Sequence, residues 1–269
     1  MNPGIHIGPF TLYYYGMILG AAILLAYAWS RSRARLFGVA PEVIDTALLL
    51  VVPIAIIFAR AYFVIFSWDL YQSEPWRMFA VWQGGLAIHG ALLGGFLGLL
   101  LAWQIVRRKY KVRLPILLDI IAPTLLASQS LGRIANFVNQ EAFGGPTSLP
   151  WGIYIPPEKR PSALLAFDHF HPTFAYEALW NLLGLVLLLR IEKHWRRRGL
   201  VTSGALFAFY LAWYSLGRFW IELLRTDSLM AGRLRVAQVA SIIGVVGGLL
   251  YLWYRTRQWS EQSAQAGAS

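Results

Sequence analysis

The sequence predicts an all-α integral membrane protein with about seven transmembrane helices. Hydrophobic residues make up 57% of the 269 positions and charged residues only 14%, whereas a soluble domain of this length carries about a quarter charged residues. Apolar runs recur at lengths near the roughly 20 residues that cross a bilayer. The basic residues lie between these runs, so the net charge of +11 indicates membrane topology and anionic lipid rather than nucleic acid.

Seven apolar runs account for most of the chain, and each is long enough for a membrane-crossing helix. They lie at about residues 12–29, 43–66, 86–106, 114–132, 173–191, 203–222 and 236–254. No basic n-region precedes the first run, so we expect no removable signal peptide. The transmembrane domain is predicted at 1–255, and the Ser-, Gln- and Ala-rich segment 256–269 is expected to be a disordered cytoplasmic tail.

The positions of the basic residues predict the orientation of the helices. Arginine and lysine concentrate in the first, third and fifth connections and after the last span, at residues 31–35, 107–113, 193–198 and 255–257. Under the positive-inside rule these segments are cytoplasmic, which places the N-terminus outside and the C-terminus in the cytoplasm. The connection 133–172, between spans four and five, then lies outside. Its prolines and glycines predict an ordered loop or small cap rather than another span.

Composition also excludes several kinds of chemistry. The chain contains no cysteine, which excludes disulfides, thiolate metal sites and a cysteine nucleophile. Its five histidines show no metal-ligand spacing, and no Gly-x-Ser-x-Gly elbow is present. We therefore expect neither a metal nor a cofactor, and a covalent acyl-enzyme is disfavoured.

Polar side chains from six of the predicted spans fall in one layer near the outer membrane face. In chain order they are Tyr15, Arg60, His89, Arg133, Asn136, Asn139, Glu141, His171, Glu177, Tyr214, Arg218 and Glu222. Charged and amide groups at this depth are costly unless they are paired, which makes the layer a candidate functional site. For residues 133–141 the simpler alternative is a polar helix cap.

Some of these residues have structural alternatives. Arg60 either snorkels to the surface or neutralises a neighbouring carboxylate, and His89 is either a hydrogen-bonded core histidine or a base. Glu177 is expected to orient an arginine rather than to transfer a proton. Asp119 precedes Arg133 by about 21 Å of helix, so it lies toward the cytoplasm and is interpreted as structural.

Two spacing patterns concern single spans. In span six the polar residues are four, four and three positions apart, which places them on one helical face; they are Tyr214, Arg218, Glu222 and Arg225. Such a face either binds a ligand or forms ion pairs that hold the helices together. In span three, glycines at 90, 94, 95 and 98 predict close approach of a neighbouring helix.

Arginines at outer-leaflet depth predict a phosphate ligand, because the guanidinium fork matches phosphate geometry and stays charged. A phospholipid entering sideways from the membrane carries such a phosphate. Direct displacement at the carbon of a phosphate ester requires stabilisation of charge on the leaving phosphate, which arginines provide. It also requires a base for the incoming nucleophile, for which His89 is the candidate.

Four motifs and an N-terminal Tyr-Gly pair resemble those of the prolipoprotein diacylglyceryl transferases of bacteria. They are GRIANFVNQEAFG at 132–144, WQGGLAIHG at 82–90, HPTFAYE at 171–177, YSLGRFWIELLR at 214–225, and Tyr15-Gly16. The motifs occur in family order and cover most of the chain. Ala135 and Gln140 depart from the family pattern, which often has glycine at both positions.

The resemblance implies an enzyme of the bacterial cytoplasmic (inner) membrane with its active site toward the outer leaflet. The implied reaction moves the sn-1,2-diacylglyceryl group of phosphatidylglycerol to the lipobox cysteine thiol of a prolipoprotein. It forms a thioether and releases glycerol phosphate. The implied partners are phosphatidylglycerol, the prolipoprotein signal peptide and membrane lipids. Because a free thiol is mostly protonated near neutral pH, a nearby base is expected.

The resemblance also implies roles for single residues. Arg133 and Arg218 would hold the phosphate, and His89 would activate the thiol or orient the headgroup. The remaining implied site residues position the arginines or line the pocket. They are Tyr15, Asn136, Asn139, Glu141, Gly144, Tyr214 and Glu222.

Two other function classes stay open from the residues alone. A transporter or proton-coupled channel also uses intramembrane His, Arg and Glu. It predicts polar groups at the midplane and often an inverted repeat, and the sequence shows neither. A non-catalytic scaffold for lipid or signal peptide would bind phosphatidylglycerol without releasing glycerol phosphate.

Overall fold

The computed structural model describes residues 4–7, 10–200, 203–226, 230–231 and 234–268. Seven α-helices occupy most of these residues. They are α1 (Tyr14–Leu36), α2 (Glu42–Phe66), α3 (Ile88–Tyr110), α4 (Leu114–Asn139), α5 (Thr173–Arg197), α6 (Ala205–Leu224) and α7 (Val236–Ala268). Short 3₁₀ helices occur in the α2–α3 and α4–α5 connections.

Among the described residues, three pairs of short antiparallel strands accompany the helices. They pair β1 (Gly4–Ile7) with β2 (Phe10–Tyr13), β3 (Ile153–Tyr154) with β4 (His169–Phe170), and β5 (Met230–Ala231) with β6 (Leu234–Arg235). The second strand pair lies in the α4–α5 connection, whose residues 140–172 are all described and contain no further α-helix. This agrees with the loop or small cap that its prolines and glycines predict.

Within the described part of the chain, five helices are long and apolar enough to cross a membrane. They are α2, α3, α4, α5 and the Val236–Glu261 part of α7. The prediction of an all-α membrane protein is therefore confirmed. Helices α1 and α6 fall outside this set. Helix α6 carries the charged residues Arg218 and Glu222, and it buries many of its residues against protein.

Two helix ends differ from those predicted. Helix α4 continues to Asn139, past the predicted end of span four at about residue 132, so Arg133 lies inside the helix. Two of the polar residues after Leu131 have partners beyond the helix: Arg133 pairs with Glu177 on α5, and Asn136 donates to Glu141 in the turn that follows α4. Helix α7 extends to Ala268, through a segment whose composition predicts a disordered tail; its Ala, Gln and Glu are good helix formers.

The chain divides into two compact units, one formed by Met1–Ala26 with Leu118–Ser269 and the other by Tyr27–Leu117. In the first, α5 and α6 are joined by two tryptophans, which we call the Trp180–Trp213 clasp. Each indole N–H donates to the backbone carbonyl of the other tryptophan at 3.0 Å, and the rings stack at 4.4 Å. Each indole also covers a glycine: a Cβ at Gly184 or Gly217 would lie 2.3 Å from its nitrogen. The clasp fixes the register of α5 against α6.

A buried carboxylate joins α4 to the start of α6 in the same unit. The Asp119 side chain accepts hydrogen bonds from the backbone N–H groups of Gly204 at 2.6 Å and Phe207 at 3.0 Å. The first N–H groups of a helix have no partner within the helix itself, so Asp119 caps α6. Its predicted structural role is confirmed.

In the second unit, α3 packs on α2 through a glycine stripe. A Cβ at Gly90, Gly94 or Gly98 would lie 2.3–2.8 Å from the nearest α2 atom, whereas one at Gly95 would meet no described atom within 4 Å. The close approach predicted from the glycines is therefore confirmed for the three residues spaced four apart. It does not involve Gly95.

This difference predicts opposite effects for two neighbouring substitutions. Glycine to alanine in a helix normally stabilises by about 0.5–1 kcal/mol, and Gly95→Ala should therefore raise the thermal midpoint of the detergent-purified protein. Gly94→Ala places a methyl 2.6 Å from Phe58 Cβ and 2.7 Å from the Ile54 carbonyl, so it should lower the midpoint. Equal shifts for the two variants would contradict the packing of α3 on α2.

Candidate active site

A buried carboxylate on α5 binds arginines from two other helices. Glu177 Oε2 lies 2.5 Å from Arg133 Nη2 on α4, and Glu177 Oε1 accepts a hydrogen bond from Arg218 Nη1 on α6 at 2.9 Å. The Glu177 side chain is 4% exposed and each arginine side chain 21%. One carboxylate thus connects three helices, which confirms that Glu177 orients arginines.

The end of α6 adds further charges to this cluster. Glu222, which is almost fully buried, pairs with Arg218 one turn earlier on the same helix. Arg225 Nη1 lies 3.6 Å from Glu177 Oε1, and Arg235 donates to the backbone carbonyl of Glu222. The face predicted from the spacing in span six therefore forms linked ion pairs.

On the α4 side, an amide connects Arg133 to a second carboxylate. Arg133 Nη1 donates to Asn136 Oδ1, and Asn136 Nδ2 donates to Glu141 Oε1, both at 2.9 Å. Because the amide accepts from the cation and donates to the anion, each neighbour restrains its orientation. Tyr15 on α1 lies close enough to Glu141 and Arg133 to interact with both charges.

Tyr214 and Asn139 are the other predicted pocket residues on these helices. Tyr214 stacks on Tyr210, with ring centroids 5.9 Å apart, and interacts electrostatically with Glu177. Asn139 is the last residue of α4 and is half-buried. Its side chain makes no hydrogen bond within the described part of the chain. Tyr214 therefore joins the cluster, and Asn139 lies at the helix end beside it.

The turn after α4 brings Glu141 back to Asn136. Gln140 and Ala142 have φ angles of +53° and +56°, in the left-handed region that favours glycine. The Glu141 N–H donates to the Asn136 carbonyl at 3.0 Å. The positive φ at position 140 suits the glycine that the resembled family pattern often has there. Gln140 adopts this φ as well, and Glu141 still accepts the hydrogen bond from Asn136.

Gly144 contacts the start of α5 and the end of α6 through its backbone. Its N–H donates to the His171 carbonyl at 2.8 Å, and the Gly145 N–H donates to the Leu224 carbonyl at 2.7 Å. A Cβ at Gly144 would lie 2.7 Å from that Leu224 carbonyl oxygen. The segment therefore ties the start of α5 to the end of α6.

The small core of the α4–α5 connection consists of Phe143, Ile155 and Phe170.

The two arginines keep donors available for a ligand. A guanidinium carries five N–H groups, and Arg133 and Arg218 each engage only Nη1 and Nη2 with the described residues. The Nε–H and the outer N–H groups have no partner within the described ranges. The ion pairs therefore hold the helices together, and the remaining N–H groups of the two arginines stay available to an anion. The polar face of α6 can accordingly form ion pairs and bind a ligand at the same time.

A family model described as prolipoprotein diacylglyceryl transferase matches residues 4–254. The chain belongs to the prolipoprotein diacylglyceryl transferase family. Three relatives carry the name phosphatidylglycerol–prolipoprotein diacylglyceryl transferase. The Nostoc sp. protein is 44% identical over 95% of this chain and 92% of its own length. The Gloeobacter violaceus protein is 43% identical over 98% and 97%, and the Halalkalibacterium halodurans protein 41% over 93% and 85%.

The histidine motif at residues 82–90 lies in the Tyr27–Leu117 unit. His89 occupies the first turn of α3, is exposed, and stacks its ring on Tyr62 with centroids 5.7 Å apart. The alternative of a buried core histidine is therefore wrong. The structure leaves the ring accessible, as a group that acts on a substrate must be.

Arg60, in the same unit, plays neither of the two roles that the sequence predicts for it. It is buried, so it does not snorkel, and its bonds go to backbone carbonyls rather than to a carboxylate. These carbonyls belong to Arg77, Met78, Gly84 and Gly85. Gly84 and Gly85 have φ angles of +86° and +70°, and a Cβ at Gly85 would lie 2.6 Å from the guanidinium. Arg60 therefore holds the α2–α3 connection that leads to His89.

The histidines of the α4–α5 connection contact their neighbours in the chain. His171 Nδ1 lies 3.3 Å from the Tyr176 hydroxyl. Pro172 directly precedes α5, in keeping with a helix start. His169 lies 2.8 Å from Asp168 Oδ1, and this hydrogen bond holds the pKa of the Asp168 carboxyl below its usual range. Neither histidine joins the arginine cluster.

Sequence reasoning placed Arg225 on the polar face of span six but missed its contact with Glu177 and the central position of Glu177. It also missed the Trp180–Trp213 clasp. One signal was present: both helices carry a tryptophan followed by glycine four residues later, at 180–184 and 213–217. Equal spacing in two helices is typical of a reciprocal contact, but only if the two helices are neighbours.

The charge of Glu177 should matter more to stability than that of other glutamates on α5. Removing one partner of a buried ion pair costs about 3–5 kcal/mol because the remaining charge stays buried. Glu177→Gln should therefore lower the thermal midpoint strongly. Glu192→Gln is the matched control, since Glu192 pairs with Arg196, which is 36% exposed. A shift for Glu177→Gln no larger than that for the control would contradict the central role of Glu177.

Proposed function

We propose that this chain transfers the sn-1,2-diacylglyceryl group of phosphatidylglycerol to the lipobox cysteine thiol of a prolipoprotein. The observation that carries the proposal is the pair of guanidinium groups, Arg133 and Arg218, held on one buried carboxylate with N–H groups still available. Membership of the family and the printed names of its relatives support the same reaction.

In the proposed reaction the thiolate sulfur attacks the glycerol carbon that carries the phosphate ester. A carbon–sulfur bond forms as the carbon–oxygen bond breaks, and the bonding electrons go to the leaving oxygen of glycerol phosphate. The phosphate changes from a diester with one negative charge to a monoester with a second. Arg133 and Arg218 face this growing charge, and fixed donors aimed at developing charge lower the barrier.

The surrounding residues keep these donors in place. Asn136 and Glu141 restrain Arg133, and Glu222 restrains Arg218. In the proposal Tyr15, Tyr214 and Asn139 line the pocket, and Gly144 sets the backbone beside Leu224. His89 is proposed to accept the thiol proton or to orient the headgroup; its motif and its exposure support this role.

We further propose that all seven helices cross the bacterial cytoplasmic membrane, with the N-terminus outside and the arginine cluster toward the outer leaflet. The five long apolar helices support a multi-pass protein. The basic connections at 31–35, 107–113 and 193–198 support the orientation, because such segments stay cytoplasmic. Helices α1 and α6 would be the remaining spans, with the polar face of α6 turned toward protein.

The proposal is tested with purified protein, phosphatidylglycerol and a lipobox peptide, with the thioether product measured by mass spectrometry. Arg133→Lys and Arg218→Lys should insert and fold normally and keep much of their lipid binding. Their transfer rates should fall about 10²–10³-fold, the usual cost of losing one donor to developing charge. Lysine is a point charge and does not reproduce the bidentate fork.

Arg31→Lys is the matched control, because Arg31 pairs with Asp45 within the Tyr27–Leu117 unit and lysine can keep that pair. It should transfer at close to the wild-type rate. Near wild-type transfer by Arg133→Lys or Arg218→Lys would remove that residue from the phosphate site. A protein that binds phosphatidylglycerol and forms no thioether would instead be a binding scaffold.

The proposed role of His89 predicts a pH dependence. If the imidazole accepts the thiol proton, His89→Ala should lose most activity near neutral pH. It should recover as the pH rises past the ordinary cysteine pKa of about 8.5, because the thiol then ionises unaided. The measurement is the ratio of mutant to wild-type transfer rate from about pH 7 to 9.5. A ratio that does not change with pH would leave His89 a headgroup-orienting or packing residue.

A further inference from the structure

A second polar layer lies one helical turn away from the arginine cluster. Gln129 precedes Arg133 by four residues on α4, and Asn181 follows Glu177 by four residues on α5. Gln129 Nε2 donates to the Tyr210 hydroxyl on α6 at 2.8 Å. Asn181 is 2% exposed, and its Nδ2 has no hydrogen-bond partner among the described residues.

The contacts between α4 and α5 show that this layer lies on one side of the cluster. Arg133 contacts Glu177, and Ser130, three residues earlier, donates to the carbonyl of Ala178. The two helices are therefore antiparallel here, and a step backward on α4 corresponds to a step forward on α5. Four residues correspond to about 6 Å along the helix axis. Under the proposed orientation this second layer is deeper in the membrane than the arginines.

An unpaired amide donor at such a place requires an explanation. Buried polar groups in proteins nearly always have a hydrogen-bond partner, and leaving one unpaired costs about 1–3 kcal/mol. A leucine of similar size would avoid that cost in an apolar helix. Gln129 Oε1 in the same layer is also buried without a partner among the described residues, so the two amides do not satisfy each other. The partner of Asn181 is therefore expected to be an acceptor that a ligand brings to the site.

The lipid that the proposed function assigns to this site carries an acceptor at this depth. With its phosphate at the arginines, the ester carbonyls of the diacylglyceryl group lie a few covalent bonds farther along, on the order of 5–6 Å. A carbonyl oxygen is an acceptor, which matches a free amide N–H.

We propose that Asn181 donates a hydrogen bond to an ester carbonyl of the diacylglyceryl group, so that the enzyme recognises ester-linked lipid. This inference rests on the proposed function, since it takes the phosphate to be at Arg133 and Arg218. The arginines then bind the headgroup side of the reacting carbon, and Asn181 binds the acyl side. The reacting carbon is held between two fixed contacts, which orients it for displacement.

The test compares two substrates that differ only in the proposed acceptor. Diester phosphatidylglycerol and diether phosphatidylglycerol of equal chain length have the same leaving group, but the diether lacks both carbonyls. Wild-type protein should prefer the diester by about 3- to 10-fold in kcat/KM, the usual effect of one neutral hydrogen bond. Asn181→Leu should lower transfer from the diester by that factor and leave the diether rate unchanged, so the preference disappears.

Ser130→Ala is the matched control. It removes a buried hydroxyl at the same depth whose partners are backbone carbonyls, and it should leave the diester preference intact. Equal rates of the wild-type protein on the two lipids would overturn the proposal, and that measurement needs no variant that folds. Equal losses on both lipids in Asn181→Leu would also overturn it, since Asn181 would then be structural.

The outcome is separable from that of the proposed function. If the wild-type protein forms no thioether from either lipid, the transfer reaction is wrong. The same comparison is then made by competitive binding of the two lipids in detergent, where the diester preference and its loss in Asn181→Leu are still expected. A mixed lipid, with an ether at the first position and an ester at the second, identifies which carbonyl Asn181 binds.

Discussion

The contact of the Glu177 carboxylate with three arginines is the interaction on which the rest of the polar site depends. Arg133, Arg218 and Arg225 reach it from α4 and from α6 and its C-terminal end. Arginines brought together inside a membrane protein repel one another and lose their hydration, so they need a counter-charge that does not move away. Glu177 is nearly fully buried, and its position fixes theirs. Donors fixed before the reaction are what electrostatic catalysis requires.

Such contacts persist only if the helices cannot slide. A shift of one residue moves a side chain by about 1.5 Å along the helix, enough to break an ion pair of 2.5–2.9 Å. The Trp180–Trp213 clasp prevents this between α5 and α6, and Asp119 holds the start of α6 to α4. The connection through Gly144 ties the opposite end of α6 to the start of α5. Residues outside the proposed substrate site thus set the geometry of the residues that are proposed to contact substrate.

Much of this was predictable, and the failures have physical causes. Length and apolarity predict α2 at 43–66, close to the observed Glu42–Phe66, and the motifs predict the family, which is confirmed. Helix α4 runs past its predicted end, since Arg133 and Asn136 find partners on α5 and in the following turn that an apolar run does not reveal. The contacts of Arg60 could not be predicted, because its partners are backbone carbonyls of the α2–α3 connection. No pattern of side chains in the sequence predicts the path of that connection. The clasp depends on which helices are neighbours, and periodicity does not specify that.

The carboxylates in the cluster also bear on turnover in the proposed reaction. A group of arginines without counter-ions would bind the lipid phosphate tightly, but it would bind the released glycerol phosphate more tightly still, because that product carries the larger charge. Glu177 already contacts nitrogens of both proposed phosphate-binding arginines, and Glu222 contacts a nitrogen of Arg218. Each guanidinium therefore shares its charge between a permanent carboxylate and a transient phosphate. Uniformly tighter binding does not raise the rate once substrate is bound. The glutamates thus keep the arginines oriented toward the developing charge while limiting how strongly the product is held.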